Sequence, residues 1–200
     1  MAQLIYEEPC KEDVETIEEQ IGRRPRGLRG IVVRCPKGQP RVIVNKGIDL
    51  AGDRQRKEQA RVVIFPTLFW LTCPGLVKIV SRIEDRGGVR QLQGRLDREG
   101  LGGEMAQAHQ SYAALRWELL DEEERKYLQG HPKLAGVLKE SGIGGIRGAG
   151  IKCLHTHLAD YLARKANPAG RLVWQQIEPE QIEEQCILCA DRNSGGKADV

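Results

Sequence analysis

The most apolar stretch of the chain, Val62 to Val77, limits what the rest can become. It falls short of the about 20 apolar residues that a membrane-spanning helix needs, and Pro66 and Pro74 interrupt it. Such a run reads as a buried strand leading into a turn, and within it Arg61–Thr72 is the best strand of the sequence because Val, Ile, Phe, Leu and Trp dominate it. The core around that strand must be aliphatic, since aromatic residues make up only 4% of the 200. A chain of this length suits one domain.

Periodicity places the other elements. Val14, Ile17 and Ile21 share one face of a short helix over residues 11–21. Leu28–Arg34 and Arg41–Asn45 are β-branched runs separated by Pro36, Gly38 and Pro40, as in a hairpin. Ile48–Lys57 reads as an exposed loop. After Cys73-Pro74 the pattern turns helical: Leu76, Ile79, Val80 and Ile83 form one apolar face, a second helix covers Val89–Glu99, and a long one runs from about Glu104 to Leu128. A shorter helix follows His131-Pro132 through Lys139, Ser141–Gly150 is a flexible connector, and Lys152–Ala166 is helical up to Asn167-Pro168. The expected architecture is α+β: a small strand-rich N-terminal half packed against a helical C-terminal half. It forms a single domain over residues 1–190, followed by a disordered tail, 191–200.

Residues 1–20 set seven acids against Lys11 and contain no apolar run, so no signal peptide is expected and the chain is read as cytoplasmic, without membrane insertion. In a reducing compartment its six cysteines are buried, reactive or metal-bound thiols, not a disulfide framework. Residues 21–61 carry twelve Arg or Lys against Asp49, Asp53 and Glu58. The acidic opening can pair with this basic segment inside the fold. The alternative is a nucleic acid or other polyanion held at Arg23, Arg24 and Arg26.

Two motif matches fail on their own chemistry. Cys35 to Arg41 has the C-x-x-G-x-x-R spacing of cysteine phosphatases, but Pro36 and Pro40 remove two backbone donors and Val42-Ile-Val continues as a strand. Gly145–Cys153 approaches a phosphate-binding loop, yet Lys152 comes one residue late and Cys153 stands where Ser or Thr should meet magnesium. What survives is an anion held by glycine amides and Lys152 at a helix start. His109, on the long helix, and His131, before a proline, read as ordinary surface or turn residues.

The remaining thiols and imidazoles are more specific. Cys and His are the ligands zinc and related metals prefer. Cys35 and Cys73 end strands, Cys153-Leu-His155-Thr-His157 opens a helix, and Cys186-x-x-Cys189 lies near the C-terminus. A helical segment 153–157 puts Cys153 and His157 on one face, with Asp160 in support; an extended one pairs Cys153 with His155. Buried thiols that merely fill space are the competing reading.

At these residues the chain resembles the bacterial proteins grouped as domain of unknown function 501. The resemblance rests on Gly22-Arg-Arg-Pro-Arg-Gly27, Arg34-Cys-Pro36 with Gly38 and Pro40, Phe65-Pro-Thr-Leu-Phe-Trp-Leu-Thr-Cys-Pro74, Lys152-Cys-Leu-His155, and Asn167-Pro168 with Gly170. It covers residues 22–170 and does not reach Cys186 or Cys189. The family carries no established activity. The resemblance implies Cys35, Cys73, Cys153 and His155 as the positions to examine, while the helical reading of residues 153–157 keeps His157 as the alternative to His155. The leading expectation is therefore a metal site, structural zinc first and an iron–sulfur cluster second. A thiol enzyme using Cys153 activated by His155 is a further alternative.

Overall fold

The computed structural model describes residues 4–50 and 62–185. Helix α1 (Lys11–Ile21) ends at Gly22, whose φ of 70° closes it. Strands β1 (Leu28–Arg34) and β2 (Pro40–Asn45) form the expected antiparallel hairpin, turning through Gly38 at φ 79°, a left-handed conformation that a side chain disfavours. The run Arg61–Thr72 is not one strand. It divides at Pro66, which has no N–H to donate, into β4 (Val63–Ile64) and β5 (Phe69–Leu71). β4 pairs with β3 (Ile48–Asp49), at the start of the expected loop, and β5 joins β2 to give a three-stranded antiparallel sheet in the order β1–β2–β5. Alternation along β2 then sorts the core: Val42 and Val44 enter the main cluster, and Ile43 meets Ile17 of α1 and Ile31 on the other face.

Helices α2 (Pro74–Asp85), α3 (Gly88–Arg98), α4 (Gly102–Glu118), α5 (Glu122–Gln129), α6 (Pro132–Glu140), α7 (Leu154–Arg164), α8 (Pro168–Trp174) and α9 (Pro179–Gln185) follow. This is an α+β fold with the strands in the N-terminal half and the helices in the C-terminal half. The single helix expected over Glu104–Leu128 breaks before Asp121 because that residue makes a reciprocal cap: its carboxylate accepts from the Glu124 amide at 2.8 Å, and its own amide donates to the Glu124 carboxylate at 2.9 Å. The Ser141–Gly150 connector is anchored, since Ile143 is fully buried and its amide donates to His109 Nδ1 at 3.0 Å. His109 is accordingly a core residue and not a surface one. No helix among the described residues is long and apolar enough to cross a membrane. The tail after Ala190, Cys186 and Cys189 lie outside the described residues.

Two polar devices hold the helical half. Asn167 caps α8 by accepting from the Gly170 amide at 2.9 Å, and its Nδ2 donates to Asp160 at 2.9 Å and to His157 Nδ1 at 3.2 Å. Arg116 is fully buried on α4 and donates to the carbonyls of Pro66, Leu138 and Ser141. Its charge therefore ties the sheet connection to the end of α6.

The acidic opening is answered within the fold. Arg34 binds Glu7 at 2.7 Å and Asp13 at 2.7 and 2.9 Å, and Arg24 lies 3.7 Å from Glu18. Exposed pairs of this kind contribute little, but Asp13 is nearly buried and the Arg34 guanidinium holds its carboxyl down to about 2. Folding lowers this pKa, so the stabilisation is complete above the ordinary carboxylate range and is lost as pH falls from about 4 toward 2. In Arg34→Gln the Asp13 titration, followed by carboxyl NMR, is expected to return to the ordinary range, and acid unfolding to begin at a higher pH. An unchanged Asp13 midpoint would contradict this account.

Candidate metal centre and adjoining cleft

Helix α2 begins with Pro74 at its first turn and has Cys73 as its N-cap. Its residues Val77, Ser81 and Glu84 recur at four and three residues, which stacks them along one face. Helix α7 begins after Cys153, its N-cap, whose φ of −129° and ψ of 117° are extended. That local conformation decides between the two pairings open to the sequence: Cys153 is not yet helical, and it meets His155 instead of His157.

The faces of α2 and α7 converge there. Cys153 Sγ lies 3.7 Å from His155 Nδ1, and Glu84 Oε2 lies 3.4 Å from the same nitrogen. The ligand atoms of Glu84, Cys153 and His155 all fall within 4.8 Å of one another, the one such group of three among the described residues. On its other side the ring is oriented by α2: Nε2 is 3.1 Å from the Val77 carbonyl and 3.2 Å from Ser81 Oγ. A carbonyl only accepts, so Nε2 carries the proton and, in the neutral ring, Nδ1 presents its lone pair to the thiol and the carboxylate. Glu84 is itself fixed, because Oε1 accepts from the Leu154 amide at the first turn of α7.

Proximity also couples the charges of the three groups. Burial works against the Cys153 thiolate, but hydrogen bonds from His155 and the Thr156 amide outweigh it and hold the thiol below its ordinary value. Burial likewise disfavours the charged His155 ring, and Cys153 and Glu84 together override it, so the imidazole sits above its ordinary value. Each group of the pair thus shifts the other toward its charged form.

The other cysteines occupy different places. Cys73 is buried in the main core at the opposite end of α2 from Glu84, a 12-residue helix about 18 Å long by its rise per residue. Cys35 is half-buried, its backbone carbonyl accepts from the Gly38 amide in the β1–β2 turn, and the chain then enters β2 and not a helix, which removes the phosphatase geometry. His157 is fully buried beside His109, with ring centroids 5.8 Å apart, and burial pushes it down to about 3. Asp160 does not bond His157 directly; it binds Arg164 and Asn167. Cys35, Cys73 and His157 therefore stand outside the cluster of three.

His155 also forms one wall of a cleft of about 430 Å³. The cleft is lined by Phe65, Thr67 and Trp70 of the apolar run, by Thr156, and by Arg23 from the turn after α1. The Arg23 guanidinium lies over the Trp70 ring, 5.0 Å from its centroid. Of the other basic positions, Arg24 and Arg26 face Glu18 and Asp49, at 3.7 and 4.0 Å. Lys152 is exposed, and the Leu154 amide that opens the neighbouring helix is already occupied by Glu84.

A helical half packed on a small sheet thus gathers a thiol, an imidazole and a carboxylate at the edge of a cleft in an α+β fold. The family model described as protein of unknown function (DUF501) matches residues 31–175, and the chain belongs to that family. No curated protein and no solved structure matches it.

Proposed function

We propose that this is a zinc-binding protein whose ion is held by Glu84, Cys153 and His155. The supporting observation is the spacing of the ligand atoms. A tetrahedral zinc with bonds of about 2.3 Å to sulfur and about 2.0–2.1 Å to nitrogen and oxygen separates N from O by about 3.3 Å and S from N by about 3.6 Å. The protein holds them at 3.4 and 3.7 Å. The Val77 carbonyl supplies the outer hydrogen bond that a ligating histidine needs to fix its tautomer. One thiolate suits zinc better than an iron–sulfur cluster, which takes mainly cysteine ligands. Three protein ligands leave a tetrahedral position for water or substrate, the arrangement of a reactive and not a closed structural ion. A cytoplasmic location fits this reading, because it keeps Cys153 reduced.

Protein purified without oxygen and supplied with zinc is expected to hold one ion and to melt at a higher temperature than the chelated form. Cys153→Ser, His155→Ala and Glu84→Gln each lose most of the metal, whereas Cys35→Ser and Cys73→Ser keep it. Zinc retained by the first three variants would refute the assignment.

The lowered thiol supports a second reading, Cys153 as a nucleophile paired with His155. In metal-free protein, alkylation of Cys153 by iodoacetamide then follows a midpoint below the ordinary thiol value of about 8.5. The midpoint rises in His155→Ala, and zinc blocks the reaction. A midpoint at the ordinary value would remove this reading.

A further inference from the structure

The cleft beside His155 combines features that the metal site does not require. Its walls are largely apolar, with ring surface from Phe65 and Trp70, its volume of about 430 Å³ is in the range of small-molecule pockets, and among the described residues Arg23 is the one Arg or Lys that lines it. That arginine differs from its neighbours. Arg24 and Arg26 have carboxylates within 4.0 Å, while Arg23 has no acidic partner among the described residues and rests on the face of Trp70. A cation–π contact favours this position of the exposed guanidinium without neutralising it, so its N–H groups stay available to an anion. A flat apolar wall, a guanidinium over Trp70 and the His155 ring define what fits.

We propose that this cleft binds a small molecule with a planar apolar body and a single carboxylate or phosphate group. The anion is held by Arg23, the body lies against Trp70 and Phe65, and the opposite end is presented to His155. The proposal rests on the metal reading only for what happens at that far end; binding itself depends on Arg23 and Trp70. The charge-assisted fork supplies affinity and sets orientation, and the apolar walls exclude water from the ion.

The test uses the full chain, chelated and zinc-loaded, with 2-naphthoate, 1-naphthyl phosphate, the uncharged 2-naphthalenemethanol and inorganic phosphate alone. The indole N–H signals of the three tryptophans are followed by NMR, with Trp70→Phe assigning the one in the cleft. A naphthyl anion is expected to shift Trp70 alone, to bind about tenfold or more tightly than the uncharged analogue, and to lose that advantage in Arg23→Gln. Comparison of the two anions identifies the preferred group. Equal binding of charged and uncharged analogues, an unaffected Arg23→Gln, inorganic phosphate binding as well as the naphthyl ester, or no shift at millimolar ligand would each overturn the proposal. Binding that persists in Cys153→Ser while zinc is lost separates the two sites. Should the metal reading fail, ligand still binds the chelated protein; should the cleft reading fail, the zinc content stays at one.

Discussion

Replacing Arg116 by methionine is expected to cost about 3–5 kcal/mol of stability, much of what a domain of this size possesses. The methionine retains the volume of the side chain but leaves the carbonyls of Pro66, Leu138 and Ser141 without their donor, in a place where Arg116 itself is fully buried. Each buried acceptor that loses its partner costs about 1–3 kcal/mol, offset in part because a charge no longer has to be desolvated. Lysine is expected to fall in between, since a single ammonium cannot reach three carbonyls with the geometry of a planar fork. Urea unfolding measures the difference, and a loss below about 1 kcal/mol would show that the carbonyls find other partners. Pro66 also borders the cleft, so partial loosening in Arg116→Lys should be felt there before the fold is lost.

The second large effect is expected at Gly170. A Cβ there would lie 2.1 Å from the His157 carbonyl oxygen and 2.5 Å from Tyr161 Cβ, so α8 touches the backbone of α7 at this point. Backbone cannot rotate away as a side chain can, and Gly170→Ala must push the two helices apart. A helix-favouring substitution that elsewhere stabilises by a few tenths of a kcal/mol is therefore expected to destabilise here by about 2–3 kcal/mol or more. Separation of the helices also disturbs the Asn167 bonds to Asp160 and His157. Thermal unfolding of Gly170→Ala against an exposed control such as Gly103→Ala decides the matter; equal melting temperatures would show that α8 can shift freely.

Much of the fold was legible because local signals and tertiary structure agree. The 11–21 helix, the 28–45 hairpin and the helices starting at residues 74 and 154 all follow apolar periodicity and punctuation by Gly or Pro. The misreadings have identifiable causes. Apolar spacing runs on through Leu119 and Leu120, so the pattern masked the break that Asp121 and Glu124 impose by capping. Pro66 was visible, but its effect of sending β4 and β5 to different sheets depends on long-range pairing. α8 and α9 are too short for periodicity to register.

The site divides in the same way. Cys153 and His155 were accessible because they sit two residues apart, and the pairing depended only on the backbone state of residue 153. Glu84 was missed because nothing local distinguishes it from the solvated acids that close many amphipathic helices. The signal that could have raised it is Ser81 and Glu84 three residues apart on α2 after Val77, which becomes meaningful only once α7 is known to pack there. The cysteines were drawn together by their chemistry, whereas the length of α2 keeps Cys73 from Glu84.

Glu84 and the Cys153–His155 pair belong to elements that lie on either side of α3, α4, α5 and α6 in the chain. An ion joining them would act as a clasp, closing a loop of roughly 70 residues whose ends are otherwise free to separate in the unfolded chain. Polymer arithmetic for a covalent cross-link of that span gives about 4 kcal/mol at room temperature, and a metal bond that also binds the unfolded ligands delivers less. Four helices would then be enclosed in a ring that opens by ligand exchange, and the entropy of that segment would be governed by the metal supply instead of by its own packing alone.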